Sequence, residues 1–227
     1  RDCLLSRGLG DVYKRQAEKT LGLRDRKKAE TRERIAQATV EILVNEGAEN
    51  ATIARIAEKV DISARTFHNY FPHREAALLF ILNQFVDEMV NIVEVARPGQ
   101  PLISIAENIA VNLYNRPSEN PRSIDTLPRL ADHLRSIPPH QREELFAEDQ
   151  RHFSSGVEFF SPLVEAFQQY SKRAGNTLST VNALLLINTM MFIPGIFVEL
   201  NKTGDVTTEQ DIRNVFQLLA NGLSELR

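Results

Sequence analysis

Residues 52–72 read TIARIAEKVDISARTFHNYFP, and no other stretch constrains the fold as tightly. Thr52 is a strong helix N-cap. Ile53, Ile56, Ala57 and Val60 follow at i, i+3, i+4 and i+7, which gives one apolar stripe on a two-turn helix. Asp61-Ile62 breaks that pattern. Ser63 then caps a second short helix that turns Phe67 and Phe71 inward, until Pro72 forces the preceding residue out of helical geometry. Two short helices with apolar residues only on their facing sides form a helix-turn-helix corner. The first helix holds the second at a fixed angle, and the second presents its outer face to a DNA major groove.

The outer residues of the second helix have the chemistry for that task. Arg65 can donate two hydrogen bonds to guanine, Asn69 can pair with adenine, and Ala64 is placed to touch a thymine methyl. These three are the expected base contacts. Thr52, Thr66, His68, Tyr70 and Arg74 are donors near helix ends and are the expected phosphate contacts. Such a corner occurs in many helical proteins, so spacing alone does not establish DNA binding.

The whole segment TIARIAEKVDISARTFHNYFPHREAALL resembles the signature of the TetR/AcrR regulators. The positions that carry the resemblance are Thr52, Ile56-Ala57, Asp61-Ile62-Ser63, Thr66, Tyr70-Phe71, Arg74-Glu75 and Leu78. It covers roughly residues 33–80. Asp61 stands where the family usually has Gly, and Asp tolerates a left-handed turn better than most residues. His68 replaces a usual Tyr, Tyr70 a usual His, and His73 a usual Ser-type cap. The resemblance implies a homodimer on a near-palindromic operator of double-stranded DNA. It also implies a C-terminal domain whose small-molecule effector shifts the population of DNA-competent states, in most members releasing a repressor.

Elsewhere the pattern is helical, punctuated by Pro and Gly, with no alternating strands. The expected class is all-α, with a three-helix DNA-binding domain over residues 24–73 and a helical effector-binding and dimerisation domain over 74–227. Helices are expected over 24–46, from 74 to the Pro98-Gly99 break, and over 101–115, 123–136, 139–173 (with a break near Ser161-Pro162), 178–201 and 208–226. The opening RDCLLSRGLGDVYKRQ has neither period nor initiator Met, and residues 1–16 are expected to be a non-native leader.

Apolar residues of the middle helices are candidates for an effector pocket: Phe85, Met89, Leu113, Phe146, Phe153, Phe159, Phe160, Phe167 and Met190. Ordinary core packing explains each of them as well. A lining of this kind favours an apolar or amphipathic effector. By the resemblance, the last two long helices would form the dimer interface, through Leu184, Ile187, Met191, Val215, Phe216, Leu219 and Leu223. Leu185, Phe192 and Ile196 add to an apolar surface too wide for one helix face. An intramolecular core is the alternative.

Composition narrows the other classes. Net charge is −3, yet residues 1–80 carry 15 Lys/Arg against 12 Asp/Glu and residues 81–227 carry 12 against 18. One end can therefore face a polyanion. The basic run at 24–34 is either a phosphate-tracking arm or a solvated helix start. A lone cysteine, Cys3, excludes an internal disulfide and fits a reducing compartment, so a cytoplasmic location is expected. The stretch 183–198, interrupted by Asn188, Thr189, Pro194 and Gly195, falls short of the roughly 18–20 apolar residues of a spanning helix. It is read as a buried core helix, and no membrane partner is expected. The five histidines lack metal-site spacing, and there is no P-loop, dinucleotide fingerprint or nucleophile elbow. No cofactor, no metal and no enzymatic activity are expected. The competing reading is a helical adaptor or ligand-binding protein that does not bind DNA.

Overall fold

The computed structural model describes residues 22–145 and 156–222, and it is all-helical over them. Residues 1–16, the expected leader with Cys3, lie outside the described residues, as do Phe146, Phe153 and Leu223.

The N-terminal head contains three helices, α1 (Leu23–Glu46), α2 (Ile53–Lys59) and α3 (Ala64–His68). Ile35, Ala38, Ile42 and Leu43 of α1 are buried on one face. Gly47, at φ 95°, ends the helix in a conformation that side chains other than hydrogen resist. Thr52 Oγ accepts from the Arg55 amide at 3.2 Å and Ser63 Oγ from the Thr66 amide at 3.0 Å, so both expected caps form.

The central helix α4 (Arg74–Glu94) leaves the head directly and runs into the body. His73 supplies its cap, with Nδ1 accepting from the Ala76 amide at 3.1 Å. Ala77, Leu78, Ile81, Leu82, Phe85, Val86, Met89 and Val93 of α4 are buried. Around it lie α5 (Leu102–Tyr114), α6 (Thr126–Ser136), α7 (Pro139–Leu145), α8 (Gly156–Phe159), α9 (Ser161–Arg173), α10 (Thr180–Thr203) and α11 (Glu209–Ala220). Helix α4 packs on α1 and α9, while α10 and α11 both pack on α5. One continuous apolar core runs from Ile35 in the head to Phe216 in α11.

Several boundaries differ from expectation for local reasons. Helix α6 starts at Thr126, three residues late, because Ser123 and Asn120 close turns first: Ser123 Oγ accepts from the Thr126 amide, and Asn120 Oδ1 from the Arg122 amide. The expected break at 161–162 is present, with Pro162 in the first turn of α9, where a missing N–H costs nothing.

Helix α10 corrects the sequence reading most. It runs unbroken for 24 residues, because Asn188 and Thr189 turn their polar groups back to the carbonyls of Leu184 and Leu185, each at 2.8 Å. By length and composition, α4 and α10 are each long and apolar enough to cross a membrane, though half of the apolar window of α4 is buried within the protein. Only 28% of the window of α10 is buried, so α10 is not the fully buried core helix expected.

Candidate nucleic-acid interface and effector cavity

Phe67 and Phe71 are wholly buried under α3, with ring centroids 6.1 Å apart. Their burial fixes which way the helix faces. Ala64, Arg65, His68 and Asn69 are all exposed on the opposite side, so the three expected base contacts share one solvent-facing surface. Between the two short helices Asp61 adopts φ 55°, the left-handed turn expected of it.

The expected phosphate contacts divide. Thr52 is exposed, and its cap uses an oxygen lone pair, leaving the hydroxyl proton to donate outward. Thr66 is half-buried and shares a 2.8 Å hydrogen bond with the Ser63 hydroxyl. Tyr70 is half-buried. His68 Nδ1 lies 3.1 Å from the Pro72 carbonyl, to which only an N–H can bond. Nε2 is then an acceptor in the neutral ring and is not placed to donate to a phosphate.

Arg74 has a structural job within the head. Its Nη1 donates to the carbonyls of Ala48, at 2.5 Å, and Ala51, at 3.1 Å, and its Nε to Glu75 Oε1 at 2.7 Å. A guanidinium tied to two backbone carbonyls and a carboxylate holds the α1–α2 loop against α4. No local pattern signals this role, because the partners lie 23 and 26 residues away.

The basic run at 24–34 is the first part of α1, and two of its members are structural. The Arg32 guanidinium carbon lies 5.0 Å from the Phe71 ring centroid and 4.7 Å from that of Phe80. Arg34 Nη2 donates to the Val60 carbonyl at 2.8 Å, closing the C-terminal end of α2. Arg24, Lys27 and Lys28 are exposed. The roles of Arg32 and Arg34 were legible only as charge.

Beneath the head, a carboxylate and two histidines meet at the junction with the body. Glu75 is largely buried, 3.5 Å from His73 Nδ1 and 4.0 Å from His133 Nε2. Burial alone would push its carboxyl up. The adjacent His73, together with the hydrogen bond and charge of Arg74, overcomes that and holds it at about 2. His133 is held below its ordinary value by burial and by the Arg74 charge, against the opposing pull of Glu75.

In the body, a cavity of about 960 Å³ opens between α4, α6, α7 and α10. That is a common size for a small-molecule site. Leu82 and Phe85 form its floor, Leu127, Pro128 and Ala131 one wall, and Met191, Phe192 and Ile196 the other. Phe159 and Phe160 close one side, while Asn188, Arg135, Arg142 and Glu199 supply polar groups. Of the expected pocket residues, Phe85, Phe159 and Phe160 line this cavity. Met89, Leu113, Phe167 and Met190 do not: each is at most 1% exposed, in seams between helices.

The expected dimer residues also separate. Ile187 and Phe216 are buried within the chain, where they cannot touch a second copy. Leu184, Met191, Val215 and Leu219 are half-buried. The apolar side chains that α10 leaves open are Val181, Leu185, Phe192, Ile196 and Leu200, exposed by 74, 66, 70, 41 and 36%.

Residues 35–79 match the family described as bacterial regulatory proteins, tetR family. Over 79 residues the chain is 30% identical to the HTH-type transcriptional regulator TcmR of Streptomyces glaucescens. That match spans 35% of this chain and 35% of the regulator, so the chain covers about a third of its relative's length. Among solved structures, Thermus thermophilus FadR, a TetR-family transcriptional repressor in complex with lauroyl-CoA, aligns with TM-score 0.49 and 21% identity. The alignment covers 84% of this chain and 94% of that one.

Proposed function

We propose that the chain, whose residues 35–79 match the tetR family of bacterial regulatory proteins, is a homodimeric, sequence-specific DNA-binding transcriptional regulator released from its operator by a small effector. One observation carries the DNA-binding part. Arg65, Asn69 and Ala64 face solvent together on α3, while Phe67 and Phe71 anchor the opposite side. A rigid helix that offers a bidentate donor, an amide and a methyl on one face fits major-groove readout.

The open apolar stripe of α10 supports a second copy as partner, and two copies would make the operator two-fold symmetric. The cavity between α6 and α10 supports an effector with a largely apolar body. No catalytic role is proposed.

The test is selection of bound duplexes from a random library by the full chain, followed by fluorescence anisotropy across a range of salt. Enrichment of a two-fold symmetric site, with affinity falling steeply in salt, is expected. An Arg65→Ala, Asn69→Ala variant that binds DNA as well as the unaltered chain would overturn the proposal in favour of the adaptor reading.

A further inference from the structure

The cavity is electrically polarised along α6. Lys202 bridges Asp125, just before α6, to Glu199 on the cavity wall, so the acidic end lies at the start of α6. Arg135 in the last turn of α6 and Arg142 on α7 line the opposite end, beyond the α6–α7 corner. With 11 residues in α6, the two ends lie about 15 Å apart.

The two arginines differ. Arg135 is exposed and paired with Asp132 at 2.7 Å. Arg142 has no carboxylate partner among the described residues, and its Nε is buried without a hydrogen-bond partner. A guanidinium on a cavity wall with no counter-charge beside it favours an anionic ligand. Three residues further on, the Leu145 carbonyl accepts from His73 Nε2 at 2.9 Å. His73 also caps α4 through Nδ1 and follows α3 by only a few residues. Helix α7 thus has one end in the cavity and the other bonded to the base of the DNA-binding head.

We infer that the cavity takes an amphiphile with an apolar body and one anionic group, that Arg142 binds the anion, and that α7 transmits occupancy to the head through the Leu145–His73 bond. The inference rests on the effector-binding reading above. It requires two arrangements of α7, one with that bond made and one with it broken, each favoured by a different state of the cavity.

The test uses the full chain without DNA, so it stands apart from the question of DNA binding. Decanoate and decanol share one apolar chain and differ in the head group. Calorimetry is expected to show decanoate binding at least about tenfold more tightly than decanol. Arg142→Gln should bring decanoate down to the affinity of decanol, and Arg142→Lys should restore part of the preference. Equal binding of the two probes by the unaltered chain would overturn the inference. So would a preference that survives Arg142→Gln, or no saturable decanoate binding up to about 1 mM.

Coupling is read by amide hydrogen exchange. His73→Asn keeps a side chain able to cap α4 but too short to reach Leu145. In the unaltered chain, decanoate should change exchange both at 139–145 and at 73–78. In His73→Asn the change should persist at 139–145 and vanish at 73–78. Equal changes at 73–78 in both proteins would show that the signal bypasses His73. Failure of these experiments alongside an enriched duplex would remove the anionic effector and leave the DNA-binding regulator standing.

Discussion

The guanidinium of Arg74 donates to the Ala51 carbonyl at 3.1 Å, joining the first turn of α4 to the residue that precedes the cap of α2. A second bond to Ala48 and a third to Glu75 complete the clamp. Lysine is a point charge and cannot reproduce a planar fork with several partners. Arg74→Lys is therefore expected to cost about 1–3 kcal/mol of stability in urea unfolding. In Arg74→Gln, which removes the charge, the slope of log affinity against log salt for DNA should stay unchanged if the guanidinium serves the clamp alone. A slope reduced by about one would restore Arg74 as a phosphate ligand.

Arg65 has the opposite profile. It is exposed and takes no part in the head's internal bonding among the described residues. Arg65→Ala should leave the melting temperature intact and cost about 1–3 kcal/mol in binding the selected duplex, with preference relaxed at one base position. Anisotropy against single-base variants of the duplex would check this. A uniform loss across all of them would make Arg65 a backbone contact.

Asp61 carries the left-handed turn between α2 and α3 at φ 55°. A β-branched residue is strained there, so Asp61→Val should destabilise the head by about 1–2 kcal/mol. Asp61→Gly should stay within about 1 kcal/mol of the natural residue, since relief of strain and greater unfolded-chain freedom oppose each other. Equilibrium urea unfolding of the two variants gives the comparison, and equal stabilities would contradict the strain argument.

Buried and open apolar residues of the last two helices should respond differently. Phe216→Ala removes a side chain buried within the chain and should cost about 3–5 kcal/mol of folding stability. A Leu185→Asp, Phe192→Asp variant places charge on side chains that are two-thirds exposed, so the isolated chain should still fold. Light scattering after size-exclusion chromatography is expected to show a dimer for the natural chain and a monomer for this variant. An unchanged mass would remove this face from the dimer interface.

Acid should loosen the junction between head and body. The Glu75 carboxyl is held at about 2 against an ordinary value of 4.5. A depressed carboxyl contributes stability that is fully present above its unfolded value and is lost as pH falls through the folded one. The contribution, on the order of 3 kcal/mol, should thus disappear between about pH 4.5 and pH 2. Glu75→Gln should lower stability at neutral pH and flatten the acid limb of the stability–pH curve. An acid limb of the same steepness in both proteins would place the effect elsewhere.

Short-range chemistry was legible along the chain. The Thr52 and Ser63 caps, the inward Phe67 and Phe71, the left-handed Asp61 and the all-helical class all depend on residues within a turn or two of one another. Spacing along the sequence is a faithful guide at that range. Arg74 shows where it stops. Nothing local distinguishes a guanidinium that meets phosphate from one that meets Ala48 and Ala51, because the folded path of the α1–α2 loop decides. The same holds for Met89, Phe167 and Phe216, whose apolar character announced burial but not which surface would bury them. Period assigned each residue to a helix face. Only the packing of α4, α6, α7 and α10 decided which faces closed into seams, which bounded a cavity, and which stayed open. The reason is physical: apolar burial is non-directional and is satisfied by any neighbour that excludes water. A cap or a left-handed turn is directional, and its geometry is set by the residues beside it.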